Sequence, residues 1–275
     1  MPELPEVETI RKSLEPHVVN RKIMDVFVGE KKLRWEVDRR AIQQYALNQT
    51  IHSVLRRGKY LIWSLYNRAH VIFHFGMSGR LLFSNKVSQI EKHTHVVFYL
   101  SNQGQIHFCD PRRFGFVKVL APMNNIDDCE LFSRLGPEPL SPDFSTVYLY
   151  QALTTTKRPI KHAIMDAKIV VGIGNIYANE ALFLAKIRPD RAAKTLTINE
   201  VDRLVTHIKA VLKEAIALGG TTLADYVNAD KIPGFFQLLL KVYGRSNRFC
   251  VNCKSRIKKI SVGQRSSFYC EKCQH

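Results

Sequence analysis

Two groups of residues in this chain have the types and spacing to do chemistry. The first is the opening run Met1-Pro-Glu-Leu-Pro-Glu-Val-Glu-Thr9. A small residue in second place favours removal of the initiator methionine, which would leave Pro2 with a free secondary amine. Chain-terminal amines titrate at roughly 7.7–8.0 and are nucleophiles when neutral. Attack on an aldehyde-level carbon gives a cationic iminium, an electron sink of the Schiff-base kind. Glu3 and Glu6 follow at once and offer carboxylates for proton transfer. Acids in a first helical turn also suit the helix dipole, so alone they fit capping as well as catalysis. The second group is Cys250-x-x-Cys253 and Cys270-x-x-Cys273, sixteen residues apart. That is the spacing of a four-thiolate zinc site, closed by protein on every side and therefore structural.

The elements that must position these groups are legible as periodicities. Glu3, Glu6, Val7, Ile10 and Leu14 follow one helix face, with Pro5 in the first turn. This places both carboxylates at the head of a stripe running into a core, where burial can raise an acid's pKa. A strand is predicted over 22–29 and a short helix from Arg39 to Leu47. Apolar runs then recur at 50–56, 60–66, 70–75, 79–83, 95–100, 105–109 and 115–120, punctuated by turn residues. Many short strands at this spacing indicate a β-sandwich or barrel. Residues 121–145 read as a linker, after which the period becomes helical. A helix is predicted over 198–218, with Thr197 and Glu200 as a capping box and Gly219 as its stop. Its buried face reads Ile198, Val201, Leu204, Val205, Ile208, Leu212 and Ala215. Between the cysteine pairs, Ile257–Val262 and Ser267–Tyr269 read as a β-hairpin. Cys109 and Cys129 read as packing residues.

Charge narrows the partner. Among 275 residues, 41 Lys and Arg face 24 Asp and Glu, a formal net charge of +17. Such an excess points to a polyanion, nucleic acid before anionic membrane. No apolar run approaches the ~18 residues of a spanning helix, and no signal-peptide segment opens the chain. A soluble, intracellular protein is expected, and paired cysteines there mean metal rather than disulfides.

Three loops carry further candidates. Arg56-Arg57-Gly58-Lys59-Tyr60 sits in a turn between strands. Its lysine could be a surface cation, a phosphate contact or a proton carrier. His74-Phe-Gly-Met-Ser-Gly79 and Asp110-Pro-Arg-Arg-Phe-Gly115 put Met77 and Phe114 on loop tips, beside Arg112 and Arg113. Large apolar tips pry base steps apart, and an Arg fork hydrogen-bonds an orphaned base. Both tips could instead fold back on the sandwich. Val170-Val-Gly-Ile-Gly-Asn175 precedes a helix predicted from Ile176 to Lys186. Bared N–H groups at a helix start favour an anion, with Asn175 capping the helix or binding phosphate. Lys157, Arg158 and Lys161 lie upstream and would add phosphate contacts. The finger's Lys254, Arg256, Lys258, Lys259 and Arg265 would lie on phosphates too.

As an ordered set these motifs resemble the bacterial formamidopyrimidine-DNA glycosylase family in its zinc-finger form, over almost the whole chain. The carriers are Pro2–Thr9, Arg57-Gly-Lys-Tyr60, Gly76-Met-Ser-Gly79, Glu91-Lys-His-Thr-His95, Asp110–Gly115, Gly136-Pro-Glu-Pro139, Gly172-Ile-Gly-Asn-Ile-Tyr177, Gly219-Gly-Thr-Thr222, Val242-Tyr-Gly-Arg245 and the finger. The resemblance implies an α+β fold: an N-terminal β-sandwich with flanking helices over 1–121, a linker over 122–145, a helical helix–two-turn–helix domain over 146–245, and a C-terminal β-hairpin zinc finger over 246–275. DNA would run in a cleft between the domains. It also implies a bifunctional DNA glycosylase and apurinic-site lyase of base-excision repair, acting on oxidised purines in double-stranded DNA, opposite cytosine. Pro2 would attack C1′, Glu3 would act as acid and base, Lys59 would serve β-elimination and Arg265 δ-elimination. Met77, Arg112 and Phe114 would fill the void, with Arg112 facing the widowed base. His74, His93, Lys157 and Asn175 would contact DNA. Glu6, Thr221, Thr222 and Tyr243 would contact the lesion nucleotide, with 219–236 as the loop over the everted base. One structural Zn2+, a monomeric state and a cytoplasmic, nucleoid-associated location complete the expectation.

One departure stands out. The family often has a Gln-Glu-Leu run just before Val242-Tyr243, where this chain reads Leu238-Leu-Leu240. Lesion preference is therefore less closely tied to the resemblance than the lyase chemistry is. The competing readings are an endonuclease VIII-like glycosylase for oxidised pyrimidines and a non-catalytic zinc-dependent DNA-binding protein. The second explains the charge and the finger but not an amine beside an acid.

Overall fold

The computed structural model describes residues 2–85, 90–221, 229–230 and 232–275. The chain forms two compact units, one of Met1–Cys129 with Leu218–Phe235, the other of Glu130–Ala217 with Phe236–His275. Of the segment read from sequence as the end of the helical domain, the described Thr221, Ala229 and Asp230 bond to Glu6, Ser13 and His17 of the N-terminal unit.

The first unit opens with α1 (Leu4–Val18). Among the described residues eight strands follow: β1 (Ile23–Val28), β2 (Ile51–Arg57), β3 (Tyr60–Leu65), β4 (His70–His74), β5 (Arg80–Ser84), β6 (Thr94–Leu100), β7 (Gln105–Cys109) and β8 (Phe116–Leu120). They make two antiparallel four-stranded sheets, ordered β1-β6-β7-β5 and β2-β3-β4-β8. Between β1 and β2, α2 (Arg39–Ala41) runs on as a wider π turn through Ile42–Ala46, where an ordinary short helix was expected. Val7, Ile10, Leu14 and Val18 of α1 enter one apolar cluster with residues of both sheets. At its centre Trp63 meets Phe73 and Phe98 edge-on, with ring centroids 4.8 and 5.0 Å apart. Edge-to-face contact sets the positive rim of one ring against the negative face of another.

The second unit contains α3 (Thr146–Thr154), α4 (Ile160–Met165), α5 (Asn175–Leu184) and α6 (Ile198–Ala217). The hairpin of β9 (Lys258–Val262) and β10 (Arg265–Tyr269) closes it. The capping box of α6 forms in both directions: Thr197 N donates to Glu200 Oε2 at 2.8 Å, and Glu200 N donates to Thr197 Oγ1 at 3.3 Å. Ile198 departs from the expected buried face. It lies in the first turn of α6 and is 48% exposed.

Candidate active site and nucleic-acid interface

In the first unit, the head of α1 is built on shared carboxylates. Pro2 is buried, and Glu3 and Glu6 are each only 2% exposed. Glu3 is the N-cap of α1 in a capping box, its backbone N–H donating to Glu6 Oε2 at 2.7 Å. Glu6 Oε1 accepts from Thr221 N at 2.8 Å. One side chain therefore fastens the start of the helix to the start of the 219–236 segment. Gly220, at φ +81°, lets that segment pass, since an added Cβ would lie 2.9 Å from Glu6 Oε1. Thr222 lies outside the described residues, as does Met1.

The Lys59 turn is fastened to the same helix by a residue that sequence reading passed over. Arg56 donates from Nε to Glu8 Oε2 at 2.9 Å and from Nη1 to Gly58 O at 3.2 Å. Gly58 takes φ +56° at the first central position of the β2–β3 hairpin, a conformation suited to glycine. Lys59 is half-buried, close enough to His74 to depress its basicity. Burial is the larger cause, and together with Lys59 and Arg34 it lowers the His74 pKa to about 4. The neutral ring accepts from Gly76 N at Nδ1, 3.2 Å away, and stacks on Phe116 at 5.4 Å.

The two loop tips do not fold back on the sandwich. Met77 is 42% and Phe114 47% exposed, and the Arg112 guanidinium lies 4.9 Å over the Phe114 ring. The loops meet backbone to backbone: a Cβ on Gly76 would come within 2.4 Å of the Phe114 carbonyl carbon. Beside them, His93 is exposed at φ +72°. It lines an open cavity of about 530 Å³ with Lys31, Lys92, His95 and Arg113.

In the second unit, Lys157 is exposed, whereas Lys161 is not a phosphate contact. Lys161 is fully buried, and its Nζ donates to Ser266 O at 2.8 Å and Ser267 Oγ at 2.7 Å. It reads as a surface cation until β10 is folded against it. Arg158 is engaged by Asp166 at 3.0 Å. Asn175 does not cap α5; Gly174 holds that place and Asn175 is the first helical residue, its Oδ1 buried without a hydrogen-bond partner. One turn on, Asn179 accepts from Phe268 N at 2.7 Å and donates to Asn175 O at 2.6 Å. Glu180 collects the N–H groups of Lys241, Val242 and Tyr243 at 2.8–3.0 Å. Burial raises its pKa while those three donors pull it down. Arg265 is exposed at the start of β10, the strand that Lys161 and Asn179 bond. The Tyr243 ring packs edge-on against Phe268 at 5.3 Å.

The finger's four Sγ atoms lie within 4.8 Å of one another, with Cys250–Cys273 at 3.9 Å and Cys253–Cys270 at 3.3 Å. Tetrahedral zinc with bonds of about 2.3 Å spaces its thiolates by about 3.8 Å, so the set fits the ion. A hydrogen bond from Ser255 lowers the Cys253 pKa to about 6, while burial and the neighbouring thiols push Cys273 up. Four sulfurs so crowded ionise together only around a cation.

The first unit thus joins a buried Pro-Glu helix head to a sandwich with exposed apolar loop tips beside an arginine, and the second carries a glycine turn opening a helix and a four-thiolate hairpin. Comparison with known proteins gives the particular family. Residues 1–117 match the formamidopyrimidine-DNA glycosylase N-terminal domain, 135–227 its H2TH domain, and 249–275 the zinc finger found in FPG and IleRS. The formamidopyrimidine-DNA glycosylase of Photorhabdus laumondii is 44% identical over 275 residues, covering 100% of both chains. The crystal structure of the MutM (FPG) protein from Thermus thermophilus is 36% identical, with TM-score 0.89 over 99% of this chain and 98% of that one. A Lactococcus lactis FPG mutant bound to DNA containing Fapy-dG is 32% identical, with TM-score 0.92 over 100% of both. The chain belongs to the formamidopyrimidine-DNA glycosylase family.

Proposed function

We propose that this protein excises oxidised purines, 8-oxoguanine and formamidopyrimidines, from double-stranded DNA and then cleaves the abasic strand. The observation that carries this reading is the buried Pro2-Glu3 pair at the head of α1, in the same unit as the exposed Met77, Arg112 and Phe114. Loss of the initiator methionine frees the Pro2 amine. Its lone pair forms a bond to C1′ as the bond from C1′ to the base breaks. The proton of the resulting ammonium passes to the departing base; the lone pair so freed forms the iminium as the bond from C1′ to the ring oxygen breaks, and Glu3 gives that oxygen its proton. The iminium acidifies the 2′ proton; its removal expels the 3′ phosphate, with Lys59 assisting, and Arg265 assists loss of the 5′ phosphate. The amine must be neutral to attack, a state that neighbouring cations favour and carboxylates oppose. Met77 and Phe114 enter the stack while Arg112 faces the widowed cytosine. Glu6, Thr221, Thr222 and Tyr243 serve the lesion nucleotide, and His74, His93, Lys157 and Asn175 serve the DNA. Zinc holds the finger closed around its four cysteines and takes no part in the chemistry. The protein acts as a monomer in the cytoplasm, on nucleoid DNA.

Borohydride reduction during turnover of an 8-oxoguanine:cytosine duplex tests this. The expected result is a covalent protein–DNA adduct that peptide mass spectrometry places on Pro2. No adduct, or an adduct on a lysine, rejects the mechanism. A thymine glycol duplex run alongside separates purine from pyrimidine preference.

A further inference from the structure

Asp110 is fully buried, yet it stands in the loop that carries the exposed Arg112 and Phe114. Its carboxylate is used from both oxygens. Oδ1 accepts from Ser78 Oγ at 2.6 Å and from Arg112 N at 3.2 Å, and Oδ2 accepts from Gly115 N at 2.8 Å. Its backbone is engaged as well: the carbonyl receives Arg113 N at 3.2 Å and lies 3.0 Å from His95 Nε2, and the N–H donates to His93 O at 3.0 Å. Ser78 follows Met77 directly, and its Oγ also accepts from Arg112 N at 3.2 Å. Gly115 follows Phe114, and its Cβ position is closed by His74 O at 2.5 Å. Thus every residue proposed to enter the duplex is a neighbour of a group that Asp110 holds.

We infer that Asp110 is the positioning residue of the wedge: one buried carboxylate fixes the spacing of Met77, Arg112 and Phe114 and thereby sets discrimination of the base opposite the lesion. The inference rests on the proposed glycosylase reading. Met77 and Phe114 stand on two separate loops and are 42% and 47% exposed, so side-chain burial does little to hold them at one spacing. Backbone N–H groups held by a buried carboxylate supply that rigidity without covering the tips. A charged acceptor satisfies three donors that a smaller or neutral residue would leave unpaired in a dry site. Asparagine cannot replace it fully, because its amide group turns a donor toward one of those donors.

The experiment compares wild type, Asp110→Asn, Asp110→Ala and Ser78→Ala on 8-oxoguanine duplexes with cytosine or adenine opposite, with 2-aminopurine next to the lesion as a reporter of unstacking. Asp110→Ala is expected to raise KM by tenfold or more and to cut the cytosine-over-adenine ratio of kcat/KM at least fivefold. Its fluorescence rise on binding should shrink. Asp110→Asn should fall between it and wild type, and Ser78→Ala should lower the ratio two- to threefold. Should Asp110→Ala fail to fold, Ser78→Ala and Asp110→Asn decide. An unchanged opposite-base ratio and fluorescence rise in those variants, with only Tm lowered, overturns the inference. Absence of a borohydride adduct with wild type would sink the glycosylase reading instead, independently of these ratios.

Discussion

The wedge side of the sandwich and the zinc finger face the same problem and solve it differently. On the proposed reading each must hold exposed side chains rigid: Met77, Arg112 and Phe114 in one, Arg265 in the other. The sandwich has a large apolar cluster behind its loops, drawn from α1 and both sheets. The loops need only local fasteners, glycines at close approaches and the buried carboxylate of Asp110. The finger has almost no core: Phe183, Val242, Cys250, Ile257, Phe268 and Cys270 form its buried apolar cluster. So small a segment cannot fold on burial alone. Its rigidity comes from the four thiolates and from polar tethers, Lys161 and Asn179, that bond β10 from the helical side. Where apolar burial is scarce, metal and buried hydrogen bonds replace it.

The largest effect should follow from removing the metal. Structural zinc contributes roughly 10–16 kcal/mol of folding free energy to finger peptides. Chelation with verified metal loss should lower duplex affinity at least tenfold, while the far-UV signal of the sandwich persists. Unchanged affinity would break the comparison from the finger's side. Trp63→Ala tests the other side. Deleting a buried aromatic of this size costs about 3–5 kcal/mol. Denaturant unfolding should show that loss with zinc stoichiometry unaltered; simultaneous release of zinc would show that the finger draws on the sandwich core after all.

A smaller effect sharpens the picture at the wedge. His74 has a folded pKa of about 4, against 6.5 for the ordinary side chain. The unfolded chain therefore binds more protons between those values, and stability is full above pH 6.5 and falls as the pH is lowered toward 4. Between pH 7.5 and 5 this amounts to about 2 kcal/mol. Urea midpoints for wild type and His74→Gln should converge in that direction, since glutamine keeps an acceptor for Gly76 N but carries no proton. Parallel loss of stability in both proteins would assign the pH dependence to other histidines, such as His70 and His207, whose pKa values burial also lowers.

The sequence by itself determined whatever depends on local period or fixed spacing. Apolar residues three and four apart required α1, alternation required the strands, Thr197 and Glu200 capped α6, and two C-x-x-C pairs required a metal. Those signals are local because a helix turn, a pleat and a tight chelating turn are local geometries. The placement of Met77 and Phe114 on turns was legible too, since glycines flank them, but whether the tips fold back on the sandwich was decided by the fold. Only the tertiary structure decided the uses of buried polar groups. Lys161 reads as one more cation, Asn179 and Glu180 as ordinary helix residues and Asp110 as a loop acid. Each gained its role from partners distant in sequence, backbone groups for Lys161, Asn179 and Glu180 and the Ser78 hydroxyl for Asp110: 105 residues separate Lys161 from Ser266, and 32 separate Ser78 from Asp110. The bonds of Thr221 and Ala229 to Glu6 and Ser13 are of the same kind. A polar side chain's partner is chosen by the fold, because burial makes an unpaired polar group costly, and composition carries no record of which partner will be at hand.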